Sequence, residues 1–279
     1  MSSTINKLEG LLENTGDMAL KRRAKRIITE LDPKPGEKII DIGCGDGYYL
    51  HLLSNLGIKN LHLSGTDYDT AGLNKANSNL KNKKIKILPG DLMKRLPFKI
   101  NEFDKAVMSE VAEHLPNDVK GLREVCRILK PGATLCLTVP HANYPLMWDP
   151  LNWLLEDMFG VHIKSGFFAG LWNQHIRLYR PEQIELVLKK AGFKVEKTEA
   201  LTFWCLPFNH YLVNLVARYL SHQYSKGTPN SSLNKFTITP KRKGVLNLTF
   251  SLVNSIDRLN DIWQPKNIGV AVFIKARKK

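Results

Sequence analysis

The sequence predicts an α/β protein: a parallel sheet with helices on both faces. Three observations lead there. Between residues 37 and 140, short β-branched or apolar runs alternate with segments of helical period. The first run, IIDI, passes into a turn with glycine at every second position, Gly43, Gly45 and Gly47. Acids stand at the ends of three successive strand candidates: Asp41, Asp67 and Asp91. The 279 residues are 43% hydrophobic and 24% charged, enough to bury a core in one domain carrying an insertion.

The elements follow in order. Residues 5–31 read as helical, with Leu8, Leu11, Leu12, Ile27, Ile28 and Leu31 on apolar faces and KRRAKR as a basic face. DPKPGEK breaks the helix. Strands are predicted at 37–43, 61–67, 84–89, 103–109 and 134–140, with helices at about 47–57, 69–80 and 117–129 between them. The last of these helices carries Val119, Leu122, Val125, Cys126 and Leu129 at helical spacing and stops at Pro131-Gly132. Residues 141–180 are rich in large aromatics and form the expected lid over an acceptor. A helix follows over RPEQIELVLKKAGF, with Pro181 near its start and Gly192 as its stop. Strands at 193–199 and 269–277 enclose about 70 residues, too many for a bare loop, so 202–268 reads as a helical insertion. It holds two apolar segments, 203–220 and 245–263, separated by HQYSKGTPNSSLNK.

The formal charge of +15 bears on partners rather than fold. The cysteines, Cys44, Cys126, Cys136 and Cys205, form no CxxC pair and no zinc-type spacing, as expected of structural thiols in a reducing, cytoplasmic setting. The N-terminal stretch has no basic region followed by an apolar one, so no secretory signal is expected. Segment 201–220 contains Asn209, His210, Asn214 and Arg218, which disfavours a spanning helix but not an interfacial one.

The glycine turn fails the dinucleotide spacing G-x-G-x-x-G, because the third position after Gly45 is Tyr48. The pattern is D-x-G-x-G-x-G, which lets a ligand approach the main chain. Asp41 suits a cationic group better than a pyrophosphate. Asp67 lies where an open α/β sheet places an acid for ribose hydroxyls, and Asp91 is placed to accept from an exocyclic amine. Taken singly, Asp67 or Asp91 could cap a helix. Together the three acids describe an amine, a ribose and an adenine without phosphate, which is S-adenosylmethionine.

The ordered segments DIGCGDG, GTDYD, PGDL, FDKAVMSEVAEHL and LKPGATLCLTVP resemble those of class I S-adenosylmethionine-dependent methyltransferases, and HIRLYRPEQIELVLKKAGFKVEK extends the likeness to about residue 197 in the manner of the small-molecule branch. The resemblance implies a Rossmann-like seven-stranded sheet whose last strand is antiparallel and inserted between the fifth and sixth. It implies methyl transfer from S-adenosylmethionine. The expected cofactor-binding residues are Asp41, Gly43, Cys44, Gly45, Gly47, Asp67, Tyr68, Asp91, Leu92, Ser109 and Glu110, with Cys44 a small filler within the loop.

The protein must then align an acceptor with the S–CH3 bond, and a hydroxyl acceptor calls for a base. His114, His141 and His175 are the candidates. His141 follows the fifth strand at the expected mouth of the pocket. His175 sits in WNQHIRLYR with Trp172, Asn173, Arg177 and Tyr179, a cluster suited to an acceptor with an apolar body and a polar handle. If SEVAEHL is helical, Glu110, Glu113 and His114 share one face, as in the Glu-x-x-Glu-His segment that the ubiquinone-biosynthesis O-methyltransferases associate with magnesium. The alternative is that Glu110 touches the cofactor and His114 packs locally, and no metal ligand is assigned.

Residues 222–279 hold eleven Lys/Arg against two Asp, about +9 of the surplus. Apolar segments beside PKRK and KARKK have the composition of a peripheral contact with an anionic membrane, such as the inner leaflet. The expected acceptor is therefore a small or lipid-linked molecule. RNA or protein methylation on the basic surface is the second reading, although no RNA-binding module is evident. A non-catalytic cofactor-binding protein is the third.

Overall fold

The computed structural model describes residues 2–13, 15–81, 83–206, 208, 211, 235–236 and 244–279. Seven strands form one sheet: β1 (Lys38–Ile42), β2 (His62–Asp67), β3 (Ile85–Pro89), β4 (Phe103–Ser109), β5 (Leu129–Pro140), β6 (Phe193–Leu201) and β7 (Ala271–Lys278). Their order is β3-β2-β1-β4-β5-β7-β6. The β1–β2, β2–β3, β1–β4 and β4–β5 pairs are parallel, and β7 runs antiparallel between β5 and β6, as the resemblance implied. The chain winds outward in both directions from β1 and β4. The crevice beyond the carboxyl ends of those two strands is where such a sheet takes its ligand.

Period-two burial sets the two layers. Ile40 and Ile42 of β1 pack with Met108, Leu137, Leu122 and Val125 under α5 (Asp118–Ile128) and α7 (Pro181–Lys190). Ile39 and Val107 pack on the opposite face with Leu31, Leu50 and Leu53 under α2 (Met18–Leu31) and α3 (Tyr48–Asn55). Asp41 therefore shares the α2/α3 face with Ile39. The remaining helices are α1 (Ser2–Leu12), α4 (Thr70–Leu80), α6 (Pro150–Phe159) and α8 (Val245–Ile262).

Several expectations need correction. The helix predicted over 5–31 is two helices. Asp17 accepts from the backbone N–H groups of Ala19 and Leu20, so it starts α2 afresh. Strand β5 begins at Leu129 rather than 134, because Leu129 pairs with Phe103 before the register shifts. SEVAEHL is not one helix. Glu110 sits at φ 56°, and only Ala112–His114 form a 3-10 turn. The aromatics of 141–180 divide: Tyr144 and Trp148, with Trp153 and Trp172 against them, pack with Met18, Leu171, Cys205 and Val270 in a third apolar cluster, while Phe159 and Phe168 are exposed. Apolar segment 245–263 is helix α8. Most of 203–220, and the basic block at 240–243, lie outside the described residues. No helix among the described residues is long and apolar enough to cross a membrane.

Candidate functional site

A cleft of about 670 Å³ opens at the carboxyl ends of β1, β2 and β4. Gly43, Asp67, Tyr68, Asp91, Leu92 and Glu110 line one part of it, and His114, Leu115, Gln174 and Ile176 another. Its size suits a small cofactor with an acceptor beside it.

The glycine turn is pinned from below. The N–H groups of Gly43 and Cys44 both donate to the Thr66 carbonyl, at 2.8 and 3.0 Å. Gly43 has φ 70°, and a Cβ there would lie 2.4 Å from Val111 Cγ2, so only glycine lets the β1 and β4 ends close together. Asp67 Oδ2 accepts from Gly45 N–H at 2.8 Å, and Oδ1 accepts from Asp69 N–H at 2.9 Å. One carboxylate thus holds the turn and keeps further acceptor capacity toward the cleft. Asp91 Oδ1 accepts from Met93 N–H at 2.8 Å, fixing the next loop. Asp69, not Asp67, caps α4.

Asp41 lies beneath this turn, 1% exposed, and its Oδ2 has no hydrogen-bond partner among the described residues. Burial, and then the charges of Asp67 and Asp46, push it up to about 8. A cation is the partner it lacks. Cys44 is buried behind the turn against Gly65, and burial raises its thiol far above the ordinary range, so it is filler. Gly45 and Gly47 shape the turn without lining the cleft; Gly47 begins α3. Ser109 stands behind the wall, its hydroxyl 2.9 Å from Tyr49 Oη and 2.8 Å from Thr138 Oγ1.

Of the three candidate bases, His114 lines the cleft. Its Nδ1 is 3.0 Å from the Gln174 carbonyl. A carbonyl only accepts, so Nδ1 carries the proton, and Nε2 of the neutral ring is the acceptor. His175 stands against it, ring centroids 4.8 Å apart. His141 is elsewhere: buried, off the cleft lining, its Nδ1 accepting from Asn143 N–H at 2.8 Å, and held down to about 4 by burial. Its position just after β5 placed it near the pocket in sequence, but the chain turns it into the core.

Behind the two facing imidazoles lies Glu113, fully buried, with Oε1 3.8 Å from His114 Nε2 and 3.9 Å from His175 Nε2. Burial, followed by the charge of Glu110, raises its carboxyl well above the ordinary range. The trio brought together is Glu113, His114 and His175, their ligand-capable atoms within 4.8 Å of one another. The Glu110–Glu113–His114 face expected for magnesium does not form, since Glu110 turns to Arg23. One desolvated carboxyl with two imidazoles is not the oxygen-rich set magnesium takes.

Arg23 is the partner of the cleft wall that sequence reasoning missed. It belongs to the KRRAKR run read as a basic face. On α2 its side chain is 14% exposed, with Nη1 3.4 Å from Glu110 Oε2, and Nε has no hydrogen-bond partner among the described residues. Burial opposes its charge, but Glu110, Asp17 and other neighbouring groups outweigh burial and raise its pKa. Helical spacing gave a signal: four residues beyond Arg23 stands the buried Ile27, so Arg23 belongs to the inward face. Gln174 was also missed, its role resting on a carbonyl at φ 65°. Arg177 and Tyr179 reach Asp118, at 3.3 and 2.8 Å, bracing the wall rather than facing the cleft.

A cleft whose glycine turn leaves no room for a side chain at Gly43, and whose Asp67 and Asp91 keep acceptor capacity, fits S-adenosylmethionine; Asp41 and Arg23 are buried outside that lining. The winding of the sheet and this crevice together define a class I S-adenosylmethionine-dependent methyltransferase. The chain belongs to the methyltransferase-domain family, whose model matches residues 17–198. It is 28% identical over 187 residues to the demethylmenaquinone methyltransferase of Staphylococcus carnosus, covering 64% of this chain and 76% of that enzyme. It is also 28% identical over 183 residues to the human mitochondrial ubiquinone biosynthesis O-methyltransferase, covering 64% of this chain and 47% of that one. The match thus spans about half of the human enzyme. Among solved structures, phosphoethanolamine N-methyltransferase 2 of Haemonchus contortus with S-adenosyl-L-methionine superposes with a TM-score of 0.55 at 20% identity, over 91% of this chain and 52% of that one. That likeness speaks to fold alone.

Proposed function

We propose that this methyltransferase methylates a hydroxyl of a small, lipid-associated acceptor, with His114 as general base. The observation that carries the proposal is the His114 tautomer at a residue that lines the cleft: the Gln174 carbonyl holds the proton on Nδ1 and leaves Nε2 as the ring's acceptor. Bound S-adenosylmethionine supplies the electrophilic methyl group. Asp41 would take its ammonium, Arg23 its carboxylate and Asp67 its ribose hydroxyls. His114 Nε2 takes the acceptor's hydroxyl proton as the oxygen attacks. The imidazolium so formed lies beside Glu113, and its charge supplies what that buried carboxyl lacks, favouring its ionised form. The names of the relatives support a quinone-related acceptor, and that of the human relative supports oxygen as the methylated atom.

One observation favours the second reading, RNA or protein. A groove of about 450 Å³ beside the cleft is lined by Lys94, Arg95, Lys120 and Arg123 and shares Leu92 and Met93 with the cleft wall. One experiment separates the two. Cofactor carrying a labelled methyl group is incubated with the protein and a cell extract, which is then split into lipid, RNA, protein and small-molecule fractions. Label in the lipid fraction, lost by about a hundredfold or more with His114→Asn, is the expected result. Label in RNA or protein overturns the acceptor. Undiminished turnover by the His114→Asn variant overturns the base.

A further inference from the structure

We infer that α6 and α8 form a docking face for an anionic lipid bilayer. Helix α6 is inverted. Its buried residue is Asn152, whose side chain meets Asp149 and the Phe168 carbonyl at 2.9 and 3.0 Å. Its outer side carries Leu151, Leu154 and Met158 at helical spacing, followed by Phe159, all exposed. A helix that buries amide and shows hydrocarbon is built against something apolar outside the chain.

Helix α8 also shows hydrocarbon on its outer side, although its inner side packs Phe250, Val253 and Ile256 as well. Arg22 of α2 binds Asp257 at 2.5 Å and Asp261 at 3.0 Å, and Lys21 donates to Asn254 at 2.7 Å, so that inner side is pinned. Leu248, Leu252, Leu259 and Ile262 recur along the outer side, Ile262 81% exposed. The strip between the two helices is apolar too. Trp204 lies 6.0 Å from Trp263 and donates its indole N–H to the Trp263 carbonyl, while Phe208 N–H donates to the Met147 carbonyl. Trp204, Trp263, Phe208 and Met147 are all exposed.

The occupant follows from charge and composition. Lys164, Arg258 and Lys266 are exposed in these segments and outnumber the exposed acids there, Asp157 and the Arg22-paired Asp261, on a chain of net charge +15. Cations around an apolar face with indoles among its residues match the headgroup boundary of an anionic membrane. The segment bearing α6 continues into Gln174 and Ile176 of the cleft wall, which links the docked face to the cleft along the chain. The inference deepens the lipid-acceptor reading and rests on it only for its purpose, because binding to vesicles needs no turnover.

The test is co-sedimentation of the full chain with phosphatidylcholine vesicles containing about one-third phosphatidylglycerol. Binding should be about tenfold tighter than to phosphatidylcholine alone and should weaken with salt. Brominated acyl chains should quench tryptophan fluorescence, and Trp204→Phe with Trp263→Phe should remove most of that quenching. Leu252→Glu with Ile262→Glu should reduce vesicle binding about tenfold or more and leave S-adenosylmethionine affinity unchanged by calorimetry, which also reports an intact fold. No sedimentation at low salt overturns the inference. So does a dimer in light scattering that the same glutamates dissociate, since a second copy would then cover the face. Vesicle binding without lipid methylation would leave the docking face standing and overturn the acceptor instead.

Discussion

Asp41 is the residue whose charge we expect cofactor binding to change. With its carboxyl raised to about 8, it is largely protonated near neutral pH. An ammonium placed beside it favours the charged form, so binding must expel a proton. Calorimetry near pH 7 in buffers of different ionisation enthalpy should show about one proton released per cofactor bound, and Asp41→Asn should abolish the release while weakening binding. Gly43 offers a steric counterpart. Gly43→Ala forces a Cβ into Val111 at a positive φ, and we expect a loss of about 1–3 kcal/mol in urea unfolding together with weaker cofactor binding. The acids at the strand ends were legible in sequence because a strand places its last side chain at a predictable spot. The orphaned oxygen of Asp41 was not, since partnerlessness is a property of everything around a group.

Helix α2 is the element that joins the site to the rest of the chain. Its successive arginines diverge: Arg22 meets Asp257 of α8, and Arg23 meets Glu110 at the cleft. Its start depends on Asp17, which accepts from two backbone N–H groups. Asp17→Ala should cost about 1 kcal/mol in chemical unfolding. It should also weaken binding of S-adenosylmethionine more than binding of its decarboxylated analogue, because a frayed first turn loosens Arg23. Equal weakening of both would remove Arg23 from the carboxylate subsite. The break before α2 was visible in Gly16-Asp17, yet the apolar spacing on either side read through it. Helical period reports a face, and two helices packed in one layer present nearly the same face.

At the scale of the molecule, buried and paired carboxyls pull stability in opposite directions with pH. Glu30, Asp104, Glu124 and Glu196 have lowered pKa values against their Lys or Arg partners, despite the opposing effect of burial. Their contribution is present above the ordinary carboxylate range and is lost as pH falls through their folded values. Asp41 and Glu113 are raised, so the folded state holds protons that the unfolded chain releases, and stability falls as pH climbs from about 4 toward 8. His51 and His141, held down to about 4 by burial, stay neutral in the fold and add stability as pH rises through the ordinary imidazole range, so without cofactor the thermal midpoint should peak near the top of that range and fall beyond it. Saturating S-adenosylmethionine should raise the neutral-pH side most, flattening the curve in a scan by fluorimetry. A peak unmoved by cofactor would contradict the pairing of Asp41 with its ammonium.

The sequence by itself determined the parallel α/β class and the class of cofactor, while the strand order came with the family resemblance that the ordered motifs carry. The first two rest on local rules: alternation of strand and helix, glycine where backbones must touch, acids at strand ends. Only the tertiary structure decided which histidine lines the cleft, that Arg23 reaches its wall at Glu110, and that Tyr144, Trp148 and Tyr179 fill a core. His114, His141 and His175 look alike in sequence, and what separates them is the partner each ring nitrogen meets across the fold. Such partners lie tens of residues away, at distances no spacing along the chain encodes.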